Sequence, residues 1–159
     1  MGTKDKNRDY ATAAFATYLR LGCPTREERE AQIRQEIYDK HRGKDPKFIV
    51  GAAEIELRRL RGHLDDIEAV NKTFDMLYGK IPQHCGAAKT HTGEEIANAV
   101  KEVYFAFGSE RIPERDIIGP RVRAYAMAVP ADIRTVYRWL KYARNLFALL
   151  RGLDISDIE

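Results

Sequence analysis

An all-α fold is what this sequence predicts, and three observations carry it. Apolar residues recur at spacings of three and four along most of the chain, and no useful run alternates with a period of two. Helix-capping residues, Gly and Pro fall where the periodic segments end. With 159 residues, 44% of them apolar and 32% charged, the chain can bury a core and lies outside the disordered class. The expected architecture is a set of N-terminal helices that includes one long helix, followed by a C-terminal module of three helices.

Each element has its own signals. A first helix is expected over Asp9–Leu21, rich in Ala and aromatics and closed by Gly22 as a left-handed cap. Thr25 with Glu28 forms a capping box for a second helix, which runs to Arg42 and stops at Gly43. Asp45-Pro46 opens a third, with Pro at its first position. Val50, Ala53, Leu57, Leu60, Leu64, Ile67, Asn71, Phe74 and Tyr78 then follow a heptad seam that carries this helix to Tyr78, with Gly79 as the stop. Such a seam, with Asn71 as its polar position, can pair with its copy in a homodimer through residues 50–78 or pack inside the monomer. Gly51 and Gly62 weaken the helix and the flanking charges form no tidy code, which favours packing inside the monomer.

Residues 1–79 are thus expected as an N-terminal helical region and 80–91 as a loop-like linker. Residues 92–151 form the C-terminal module and 152–159 an acidic tail. Within the module Thr92 and Glu95 form another capping box, and a support helix is expected over 93–107, ended by Gly108. Gly119-Pro120 frames a helix over 118–129, and Pro130 forces a turn into a final helix over 131–151.

Charge is unevenly distributed. Residues 1–120 carry 20 basic and 20 acidic side chains. Residues 121–151 carry seven basic residues against Asp132 alone, and three acids in the tail bring the net to +3. A local cation of this kind is the footprint of a surface that meets phosphates.

The final helix sorts its residues by face. At 100° per residue, Val136, Trp139, Leu140, Ala143, Phe147 and Leu150 share one side, and Arg134, Arg138, Lys141 and Asn145 the other. Guanidinium and ammonium groups reach guanine acceptors or phosphates, and Asn can pair with adenine. The expectation is a helix-turn-helix that binds double-stranded DNA. Arg134, Arg138 and Lys141 would read bases, and Arg121 and Arg123 would meet phosphates. Thr135 and Tyr137 flank the basic face as further phosphate contacts, and Arg144 and Asn145 complete the candidate set. Asp132 is expected to cap the helix. An amphipathic helix with a merely solvated basic face is the plainer alternative.

Other chemistry is poorly supported. Cys23 and Cys85 are expected as thiols. His84, Cys85 and His91 lie close in sequence without metal-ligand spacing, so no metal or cofactor is expected. Asp65-Asp66 and Glu94-Glu95 are acid pairs with no accompanying His or Cys, and Gly79-Lys80 lacks the rest of a phosphate loop, so no enzyme is expected. No apolar run approaches the roughly 20 residues of a membrane span, and the N-terminus lacks a signal-peptide pattern, which leads to a cytoplasmic expectation.

The stretch Ala97-Asn-Ala-Val-Lys-Glu-Val-Tyr-Phe, with Ile133-Arg-Thr-Val-Tyr-Arg-Trp-Leu after a turn, resembles the C-terminal half of phage late-gene regulators of the RinA and ArpU type. Leu64-Asp-Asp-Ile-Glu-Ala-Val-Asn-Lys-Thr-Phe is similar to the long helix that precedes the module in such regulators, so the resemblance covers about residues 60–151. It implies a DNA module similar to region 4 of sigma factors, promoter binding that activates late or packaging genes, and contact with host RNA polymerase. Two rival functions stand beside it. One is a phage small terminase subunit, in which the DNA module usually comes first. The other is a helical adaptor that binds an acidic protein.

Overall fold

The computed structural model describes residues 3–79, 90–104, 115–129 and 131–153. Among them are seven α-helices and no strand, in the order α1 (Thr3–Arg20), α2 (Arg26–Lys40), α3 (Pro46–Arg59), α4 (Arg61–Leu77), α5 (Thr90–Tyr104), α6 (Arg115–Ala128) and α7 (Ile133–Arg151). None of them is long and apolar enough to cross a membrane.

Local signals set many of the boundaries. Gly22 takes φ +87° after α1. The Thr25 hydroxyl accepts from the Glu28 N–H at 3.1 Å, and the Glu28 carboxylate accepts from the Thr25 N–H at 2.9 Å, which completes the capping box of α2. Asp45 caps α3 by accepting from the Lys47 N–H, and Gly79 ends the run after α4 with φ +75°. α6 begins at Arg115 rather than at Ile118, with Gly119 and Pro120 inside it. Pro120 lies within the first two turns, where its missing N–H removes a single backbone bond.

The expected long helix is two helices. Leu60, with φ −95° and ψ 16°, separates α3 from α4. Gly62 makes an unbroken helix costly here, and the break lets the two parts of the seam serve two cores. Leu57 and Leu64 close with Ile33 of α2 into a small cluster backed by Leu60. Ile67 and Phe74 enter the main core instead. Asn71 donates to the Tyr18 hydroxyl at 3.1 Å, so the polar seam position is used within the chain. Val50, at the upper end of the seam, remains exposed.

The main core draws on α1, α4, α5, α6 and α7. Phe15 of α1 is its hub. Its ring centroid lies 6.0 Å from Phe74 of α4, 5.9 Å from Tyr104 of α5 and 5.7 Å from Phe147 of α7. The two regions expected from the sequence therefore meet in one core. The expected linker falls outside the described residues as far as 89, and Thr90 and His91 already belong to α5. Close approach there depends on Gly93, because a Cβ would stand 1.8 Å from the Leu77 carbonyl oxygen. Of the acidic tail, only Gly152 and Leu153 are described.

Candidate nucleic-acid interface

The connection between α6 and α7 spans residues 129–132, of which Pro130 lies outside the described set. Both ends are tied. The Ala131 N–H donates to the Ala126 carbonyl at 3.0 Å, and the Asp132 carboxylate accepts from the Arg134 N–H at 3.0 Å. Asp132 is therefore the N-cap, and α7 starts at Ile133 rather than Ala131. At the far end Gly152 adopts φ +82°, with Leu153 N–H to the Ala148 carbonyl at 2.8 Å and Gly152 N–H to Leu149 at 3.2 Å. That pair of bonds is a Schellman motif.

α7 buries Val136, Leu140, Ala143, Phe147 and Ala148. Trp139 and Tyr142 are half-buried against the same core. Leu150, expected on this face, is exposed instead. The buried arc instead widens on its other flank towards the C-terminus, where Ala148 is buried.

This widening divides the expected DNA contacts. Arg134, Arg138 and Lys141 are exposed, and none has a side-chain hydrogen bond or ion pair among the described residues. Tyr137 is 44% exposed beside them. Arg123 of α6 joins this surface: its Nη1 and the Tyr137 hydroxyl lie 3.6 and 3.9 Å from where a Gly119 side chain would begin. Thr135 is half-buried.

The remaining three residues are placed differently. Arg144, half-buried, donates from Nη1 to the Tyr104 hydroxyl at 2.6 Å. Asn145 is also half-buried, and its Oδ1 is shielded from solvent. Asn145 does not lie on the open face that a simple helical wheel gives it. Arg121 donates from Nη1 to the Val103 carbonyl at 3.1 Å and so ties α6 to α5. Arg151 belongs to the same tied group, since its Nε donates to Asp66 of α4 at 2.7 Å.

Among the described residues no group of three or more metal-ligating side chains forms. Of His84, Cys85 and His91, from which no metal site is expected, residues 84 and 85 lie outside those residues. Comparison of the chain with protein-family models, with curated proteins and with solved structures finds no match.

Proposed function

We propose that this chain is a sequence-specific DNA-binding transcriptional regulator that sets the first half of α7 in the major groove. The observation that carries this reading is the placement of Arg134, Arg138 and Lys141. All three are exposed and without side-chain partners among the described residues, on one face of the first half of a helix whose later part is held in the core. Helix-turn-helix proteins read bases with the N-terminal residues of the second helix. From Arg134 to Lys141 the helix advances about 10 Å, roughly three base-pair steps. Arg123 and Tyr137 extend the surface towards one phosphate backbone, and Thr135 flanks the other side. Activation of phage late genes and contact with RNA polymerase rest on the sequence resemblance alone.

The test is selection of duplexes from a randomised pool by the purified full chain, followed by gel shift across a salt series. A single enriched motif that survives random competitor is expected, with affinity falling log-linearly as salt rises. Absence of any shift at low salt would remove the proposal and leave a protein-binding adaptor. Enrichment by rings of many subunits would turn the reading towards DNA packaging.

A further inference from the structure

The end of α6, the connection and the first two turns of α7 expose apolar side chains outside the core. Met127 is 84% exposed, Val129 37%, Ile133 41% and Tyr137 44%. Ile133 is the informative one. Capping of α7 is done by Asp132, and core contact at this end is made by Val136 and Leu140. Ile133 itself is not part of the core cluster. At 100° per residue, Ile133 and Tyr137 lie on one flank of α7, between the buried stripe and the arc of Arg134, Arg138 and Lys141. The surface is therefore an exposed aliphatic group bordering three cations that no acid within the described residues neutralises.

A ligand complementary to this arrangement carries anionic groups with an apolar methyl a few ångströms away. The major groove offers that combination where a thymine C5-methyl neighbours guanine acceptors and the phosphate backbone. We infer that Ile133 is a specificity-determining residue that packs on a thymine methyl, next to the bases contacted by Arg134 and Arg138. This inference rests on the DNA-binding reading above and adds a base identity to it. The target site contains a thymine whose methyl group, rather than its hydrogen-bonding edge, is recognised.

The experiment replaces each thymine of the selected duplex in turn with deoxyuridine, which deletes only the methyl group. Binding of the wild-type chain is then measured by fluorescence anisotropy. At one or two positions the wild type loses affinity about fourfold, the change expected for one buried methyl. Ile133→Ala binds the thymine and deoxyuridine duplexes equally at that position, and circular dichroism reports its helix content. An Ile133→Ala chain that still distinguishes thymine from deoxyuridine at that position overturns the assignment to Ile133, and Ile133→Thr repeats the comparison if Ile133→Ala folds poorly. A selected motif bound equally well with every thymine replaced overturns the inference and leaves the DNA reading intact. Failure of the wild type to bind any duplex at low salt overturns both.

Discussion

The two halves of α7 carry similar cations and use them in opposite ways. In the first half Arg134, Arg138 and Lys141 are exposed and unpartnered among the described residues. In the second half Arg144 is spent on the Tyr104 hydroxyl and Arg151 on Asp66. Sequence composition treats all five as one basic patch. Structure divides them into a face available to a ligand and a set of anchors that fix the helix presenting it. Under the proposed function the helix must be held rigidly to fix its register, and the anchors are of the same residue type as the proposed readers.

Phe147→Ala tests the anchored half with the largest expected effect. Its ring is fully buried against Phe15 and approaches Tyr10 at 6.3 Å between centroids. Loss of about 3–5 kcal/mol of stability is expected, measured by urea denaturation. A smaller loss, on the scale of a surface substitution, would show that this half is not anchored through the core. Arg138→Ala addresses the free half and is expected to behave inversely. Specific DNA affinity falls by about 1–3 kcal/mol, and stability changes by no more than about 0.5 kcal/mol. Equal weakening on selected and random duplexes would move Arg138 from base to phosphate contact.

How far this division was legible in the sequence depends on the kind of signal. Caps are local, so Gly22, the Thr25–Glu28 box, Asp45 and Gly79 sit where their chemistry alone predicts. The exposed position of Arg134, Arg138 and Lys141 follows from helical periodicity. The half-buried place of Asn145 was not legible, because a helical wheel assigns one buried arc to the whole helix. Which helices close over its second half is decided by residues distant in sequence, such as Phe15 and Asp66. Ala148 was the available hint, a small residue that lets a neighbour approach. The break at Leu60 was hidden for a similar reason. A heptad seam records which residues are buried but not that they enter two different cores.

Arg144→Ala sharpens the comparison with a smaller effect. Removing the guanidinium leaves the buried Tyr104 hydroxyl without the bond from Nη1, at a cost of about 1 kcal/mol in stability. DNA affinity of the folded protein is expected to stay unchanged, and anisotropy measured well below the unfolding midpoint checks this. A loss of specific binding comparable to that of Arg138→Ala would merge the two halves again and extend the reading face towards the C-terminus of α7.

The smallest expected effect is acid dependence, which should act on the anchors. Arg26 of α2 donates from Nη1 to Asp65 at 2.7 Å and to Glu68 at 3.0 Å, both on α4, the helix whose Asp66 holds Arg151. The bond from Arg26 holds the Asp65 carboxyl below the usual carboxylate range, and Arg151 pulls weakly in the same direction. The bond from Lys72 does the same for Glu68, with Arg26 adding to it. Because both carboxyls bind protons less readily in the folded chain than in the unfolded one, their contribution is complete above the ordinary carboxylate pKa. It is lost as pH falls through about 4 and below. These groups are well solvated, so the contribution is roughly 0.2–1 kcal/mol. Arg26→Ala should flatten this part of the stability–pH curve, measured as denaturation midpoints between pH 3 and pH 7. Acid should therefore loosen the scaffold behind α7, and an unchanged slope in Arg26→Ala would place the acid-sensitive anchor elsewhere on α4.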